Sequence, residues 1–147
     1  MAASRAERNG NARRPGGSAS RSRSRAGEGG AKVEAVSSRG NSRLQIFDAD
    51  GKFIAEWKQF GRPSGLYIDK NDKLYVIDAD SSPATNPGWK KGIRIGNAKD
   101  GKVVAFVPGH QTDNPDGAAG EGIVADPAGN LYAAENTLRG VTKYAKQ

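Results

Sequence analysis

Two stretches of this chain carry one pattern 57 residues apart, and that repeat constrains the fold more than any other feature. Leu66 to Asp78 reads LYIDKNDKLYVID, and Ile123 to Glu135 reads IVADPAGNLYAAE, aligned without a gap. Gly65 matches Gly122, Asp69 matches Asp126, and Leu74-Tyr75 matches Leu131-Tyr132. Each copy is a short apolar run, a polar turn and a second apolar run, which is the pattern of a β-hairpin. A second kind of hairpin stands upstream: Leu44 to Phe47 leads into Asp48-Ala49-Asp50-Gly51, and Lys52 to Trp57 leads back. Gly at such turns accepts the positive φ that tight hairpins demand. Ala98-Lys99-Asp100-Gly101-Lys102 echoes that turn, and Asn136-Thr137-Leu138-Arg139 begins a partial third copy by matching Asn41-Ser42-Arg43-Leu44. Between the first two hairpins lies Phe60-Gly61-Arg62-Pro63-Ser64-Gly65, rich in residues that interrupt strands. A unit of about 40–50 residues with about four short strands is the period of propeller blades.

Arg39-Gly40-Asn41-Ser42-Arg43-Leu44-Gln45-Ile46-Phe47-Asp48 resembles the repeat core of NHL-repeat β-propellers. Pro63 to Asp69 and Gly120 to Tyr132 resemble the inner hairpins of that family. Gly88-Trp89-Lys90-Lys91-Gly92-Ile93-Arg94-Ile95-Gly96 is similar to bacterial members related to peptidyl-α-hydroxyglycine α-amidating lyases. Gluconolactonase-like propellers are more distant by the same signs. The resemblance spans Arg39 to Lys146 and implies an all-β fold, a partial β-propeller.

The expected strands follow from the hairpins. Leu44–Phe47 and Lys52–Trp57 form the outer pair of a first, incomplete blade. Gly65–Asp69, Lys73–Asp78, Ile93–Gly96 and Lys102–Val107 form a whole blade. Glu121–Asp126, Asn130–Glu135 and Val141–Lys146 form three strands of a third. The chain then holds about two and a half four-stranded blades, the C-terminal part of a six-bladed propeller. Such a portion leaves sheet edges and apolar faces open to self-association.

Charge divides the chain. Residues 1–40 carry nine Lys/Arg against three Asp/Glu, whereas the remainder is nearly balanced at +1 of the total +7. The folded part thus has no electrostatic pull toward nucleic acid. Residues 1–38 read as a disordered, low-complexity basic tail and 39–147 as the propeller portion. The early tail offers little apolar surface to offset its ordering entropy, so residues 1–30 are expected to make no stable contact with the sheets. Val33 to Val36 is one candidate for an additional strand. Ser20-Arg21-Ser22-Arg23-Ser24-Arg25 invites an RNA-binding reading, against the plainer one of an unstructured extension. Cysteine is absent, no run of about 18 apolar residues is present, and the N-terminus lacks the apolar core of a secretory signal.

Several motifs mimic chemistry. Gly96 to Val103 has P-loop spacing, but Val103 stands where the magnesium-binding hydroxyl belongs and strand follows where helix is required. Ser64 is flanked by glycines at the wrong spacing for a nucleophile elbow, and His110, the only histidine, has no sequence reason to lie near it. The resemblance implies zinc-binding histidines just before the Gly of each inner strand. Ser64 and Glu121 hold those places here, so a three-histidine site cannot form. Glu121 is the one candidate metal ligand, an oxygen donor suited to calcium as in the lactonase-like relatives, against the plainer reading of a solvated loop carboxylate. Gln111 to Glu121 reads as an acidic surface loop without EF-hand spacing. Trp57, Trp89, Tyr67, Tyr75 and Tyr132 read as packing between blades.

Three functional classes follow: an NHL propeller related to amidating lyases and inactive alone, a metal-dependent lyase or lactonase only if completed; a non-catalytic propeller that binds a protein or peptide; and a nucleic-acid binder acting through the Arg/Ser tail.

Overall fold

The computed structural model describes residues 23–25, 33–110, 119–135 and 139–147. Within them are eleven strands and one turn of 3-10 helix, Arg39–Asn41. Strands β1 (Arg23–Arg25), β2 (Val33–Ser38), β3 (Arg43–Asp48) and β4 (Phe53–Trp57) form a first sheet in that order. A second sheet orders β5 (Pro63–Ile68), β6 (Lys73–Asp78), β7 (Gly92–Asn97) and β8 (Val103–Pro108). The third holds β9 (Gly122–Ala125), β10 (Leu131–Glu135) and β11 (Gly140–Tyr144). Every pairing is antiparallel between neighbours in sequence. The second and third sheets match the expected strands.

The first sheet corrects the expectation twice. It has four strands rather than an outer pair, because Ala35 and its neighbour Val33 pack beside Leu44 and Ile46, so Val33–Ser38 joins the core. The boundary at residue 38 therefore falls at the end of a strand, not at the end of a tail. Arg23–Arg25 also pairs with β2, opposite Val36, Ala35 and Glu34. A ladder is made from backbone N–H and C=O groups, so an Arg/Ser segment can add an edge without apolar side chains. The rest of the expected tail, 1–22 and 26–32, lies outside the described residues.

The turns show why the repeat exists. Asp69 Oδ1 accepts from the Asn71 and Lys73 amides at 2.8 and 3.0 Å. Asp48 Oδ1 does the same for Asp50 and Lys52 at 3.0 and 2.8 Å. Asp126 takes the Asn130 amide at 2.9 Å. These side chains supply the turn with acceptors that the ladder cannot. A left-handed residue stands at each expected turn: Gly51 at φ 82°, Asp72 at 59°, Gly101 at 71° and Gly129 at 90°. The repeat extends to its aromatic partner, because Tyr75 and Tyr132 each donate their hydroxyl to the matching Asp, at 3.2 and 3.1 Å. Burial, then the Asp69 charge, pushes the Tyr75 phenol up to about 12.

The sheets stack face to face, with β1 and β2 against β5, and β5 and β6 against β9. One core joins the first two sheets through Leu44, Ile46, Trp57, Phe60, Leu66 and Leu74. A second joins the last two through Tyr75, Ile77, Ile93, Ile123, Leu131 and Ala133. At the second interface the backbones themselves meet: a Cβ on Gly65 would lie 2.5 Å from the Glu121 carbonyl oxygen and 3.1 Å from the Gly122 Cα. Only glycine permits that approach.

Two outcomes are expected. Gly65→Ala should lower stability by about 1–3 kcal/mol through forced separation of β5 and β9, whereas Gly40→Ala, with nothing within 4 Å, should change it by less than about 0.5 kcal/mol; urea titration reads both. The bonds from Asn130, with smaller help from Tyr132 and Gly129, hold the Asp126 carboxyl below its ordinary value. Its contribution is therefore present above the usual carboxylate range and lost as pH falls through the lowered folded value. Acid titration of Asp126→Asn should lack that part of the loss.

Candidate functional site

The registers bring the starts of β5 and β9 beside the ends of β6 and β10, with Pro63 opposite Asp78 and Gly122 opposite Ala134. This end of the stack gathers most of the buried polar side chains: Ser64, Asp78, Ser81, Arg94 and Glu135. It also holds Ser64, His110 and Glu121, which the sequence singled out for chemistry.

Asp78 is the hub. Its side chain is fully buried, and its Oδ1 accepts from the Asp80 and Ser81 amides at 3.2 and 2.9 Å. Oδ2 accepts from the Ser81 hydroxyl at 2.6 Å, the Arg62 amide at 3.1 Å and Arg94 Nη1 at 3.2 Å. Gly61, at φ 75°, leaves the space that Oδ2 occupies, since a Cβ there would overlap it. The Arg94 guanidinium lies over the Trp89 ring at 4.6 Å and the Phe106 ring at 4.9 Å, and donates from Nη2 to the Lys90 carbonyl at 3.0 Å. Burial pushes Arg94 below its ordinary value, while Asp78 pulls it back up. Five donors, one of them cationic, satisfy this buried carboxylate and hold the loop after β6 in place.

The matching acid of the third sheet is different. Glu135 ends β10 as Asp78 ends β6, and its side chain is 2% exposed. His110 Nδ1 lies 3.2 Å from its Oε1, yet neither carboxylate oxygen accepts a well-formed hydrogen bond. Thr142 stands opposite Ala133 where Arg94 stands opposite Val76, so the third sheet has no guanidinium at that place. The Tyr144 hydroxyl lies 3.4 Å from His110 Nδ1, and burial first, then the Glu135 charge, pushes that phenol upward.

Glu121, the candidate metal ligand, accepts from Arg39 Nη1 with both oxygens, at 3.1 and 3.2 Å. The ion pair runs from the turn after β2 to the start of β9 and puts a guanidinium where a cation would sit. Ser64 is buried, and its Oγ receives the Ala79 amide at 3.4 Å. His110 lies instead against Glu135 and Tyr144, so the one histidine does not attend Ser64. Among the described residues no group of three His, Cys, Asp or Glu could hold a metal ion. The donors at the places implied for zinc therefore do not fit that metal. Residues 111–118 of the acidic loop lie outside the described residues. The P-loop mimic is the turn between β7 and β8, with Asn97 Oδ1 accepting from the Lys99 amide at 2.7 Å. Among the aromatics, Trp57 and Tyr75 pack in the cores as expected, whereas Trp89 instead covers Arg94. At the opposite end of the stack a cleft of about 410 Å³ runs between the second and third sheets, lined by Tyr67, Lys70, Lys73, Asp126 and Lys146 among others.

The sequence reasoning missed the Asp78 network and the Glu135–His110 pair. A signal was present, because the 57-residue repeat places an acid at the same position in both copies.

No protein-family model matches the chain. No curated protein matches it either. Among solved structures it is similar to the hydrazine synthase of Kuenenia stuttgartiensis, a β-propeller-containing protein, with a TM-score of 0.57 and 19% identity over 82% of this chain. The match covers 32% of that protein, so this chain spans about a third of its length. The likeness supports a fold of β-propeller type, and the three sheets described here do not close a ring.

Asp78→Ala should cost about 3–5 kcal/mol, because it strands the Arg94 charge among aromatic rings. Glu135→Gln should cost far less, since no hydrogen bond of good geometry is broken. Thermal unfolding of the two variants side by side distinguishes them.

Proposed function

We propose that this chain is an NHL-type propeller portion of the amidating-lyase lineage that does not itself act as a lyase. The observation that carries the NHL reading is the repeat: Asp69 with Tyr75 and Asp126 with Tyr132 make the same bonds in the same places, 57 residues apart. The run Gly88 to Gly96 supports the lyase branch, and the six-bladed parent follows from that likeness. Inactivity follows from the donor set. The zinc that the resemblance implies needs several imidazoles, and calcium needs free oxygen donors. Ser64 is buried, and Glu121 is taken by Arg39.

A second reading has its own support. A propeller that binds a protein or peptide without catalysis suits the cleft between Tyr67 and Lys146, where three lysines stand near two tyrosines. With Asp69 and Asp126 beside those lysines, the lining suits a peptide that carries charges of both signs. Nucleic-acid binding through the Arg/Ser segment is the weakest of the three, because Arg23–Arg25 serves as an edge strand.

The test is glyoxylate release from a peptide ending in α-hydroxyglycine, with zinc or calcium supplied. No release above the protein-free rate is expected. Zinc-dependent turnover that Glu121→Ala abolishes would overturn the proposal.

A further inference from the structure

We propose that the cleft between the second and third sheets takes an extended peptide by its acidic side chains, which seat on the ammonium groups of Lys73 and Lys146 with Lys70 beside them. This rests on the peptide-binding reading above and names the contact that such a peptide makes. The evidence is that three lysines and two aspartates line one cleft of about 410 Å³ without an ion pair between them.

The aspartates are committed to their own hairpins. Asp69 Oδ1 accepts from the Asn71 and Lys73 amides, and Oδ2 accepts from the Tyr75 hydroxyl. Asp126 Oδ1 accepts from the Asn130 amide at 2.9 Å. Its Oδ2 accepts from the Asn130 side-chain amide at 2.8 Å and from the Tyr132 hydroxyl at 3.1 Å. Every carboxylate oxygen in the cleft is thus already bonded within a turn, and none is turned toward a lysine. Elsewhere exposed lysines do find acids, since Lys58 pairs with Glu56 and Lys99 with Asp72, both at 3.1 Å.

The lysines, by contrast, are held with their heads free. On the second sheet the Lys73 ammonium lies over the Tyr75 ring, 5.7 Å from its centre. Beyond β11, Asn130 Oδ1 accepts from the Lys146 amide at 3.1 Å, and the Lys146 stem crosses the turn at Gly129. A Cβ on Gly129 would lie 3.0 Å from Lys146 Cδ and 3.8 Å from its Nζ, so glycine is what lets the stem lie down there. One ammonium therefore stands on each side of the cleft, its stem resting on a ring or on backbone, which reduces the ordering cost of pairing with a ligand. Tyr67, its ring 6.1 Å from that of Tyr75, offers a wall for the peptide between its charges. Of the two signs that a mixed-charge peptide carries, the negative one meets unpaired partners here.

NMR titration of the full chain reads the contact. The probes are a short, end-blocked peptide of alternating glycine and glutamate, and the same peptide with glutamine or with lysine for glutamate. The glutamate peptide should shift the backbone amides of Asn71 and Gly129 saturably, and the glutamine peptide should not. Lys73→Met and Lys146→Met should each weaken the glutamate peptide by about threefold, the scale of an exposed ion pair. Lys52→Met, in the turn before β4, should leave it unchanged. All three lysines are exposed, so the variants should keep the parent's amide spectrum away from the substitution, which separates lost binding from lost fold. Equal saturable binding of the glutamine or lysine peptide would leave a peptide site but overturn the carboxylate contact. An equal loss from Lys52→Met would overturn it too, because attraction would then follow net charge and not the cleft. No shift with any of the three peptides would overturn the peptide-binding reading together with the inference.

Discussion

Strand β6 is apolar on both faces, and the rest of the structure depends on that. Its residues alternate between two cores: Leu74 and Val76 belong to the one shared with the first sheet, Tyr75 and Ile77 to the one shared with the third. A strand of this kind cannot lie at a solvated surface, so a sheet is required on each side of it. Burial of such side chains is worth about 1.5–3 kcal/mol each, and here it falls on consecutive residues. The three-sheet stack is the smallest arrangement that covers β6 completely. Each outer sheet has a described neighbour on one side alone, and large exposed apolar groups stand on these sheets (Phe53, Ile54, Val124 and Val141) as well as on the outer strand β8 of the second (Val104 and Phe106).

The same repeat that builds the stack also brings buried acids to one end of it, with opposite results. Asp78 is surrounded by donors because Gly61 admits its carboxylate, Ser81 follows it closely, and Arg94 stands across the ladder two residues away. Glu135 inherits the place without the partners and is left with His110. One site is therefore a rigid anchor for the loop that carries Trp89, and the other an under-coordinated carboxylate beside an imidazole and a phenol. Arg39 and Glu121 tie the first sheet to the third across the second, which adds rigidity to this end while removing the carboxylate from service as a ligand.

What could be read from the residues was local. The turns at Asp50-Gly51, Asn71-Asp72, Asp100-Gly101 and Ala128-Gly129 are set by side chains two to four positions from the backbone groups they bind, so spacing alone reveals them. The second and third sheets follow from those turns and from the alternation beside them. The first sheet was half hidden because β1 is an Arg/Ser segment that contributes backbone pairing, for which no hydrophobic pattern exists. Glu121 looked like a free loop carboxylate because its partner, Arg39, lies 82 residues away in sequence. The Asp78 hub was only partly legible: the repeat marks the acid and Ser81 lies three residues on, but Arg62 and Arg94, each 16 residues away, become its neighbours only once the sheet has formed.

The central claim is that β6 is held between two cores, and amide hydrogen exchange across the chain tests it most directly. Exchange slows where opening requires the largest disruption, and a strand shared by two cores cannot open without breaking both. The amides of Leu74 to Ile77 should be the slowest in the molecule, with those of β4 and β11 exchanging well before them. Protection in β6 no greater than in β11 would contradict the account, because it would mean that one of the two faces is not covered in solution.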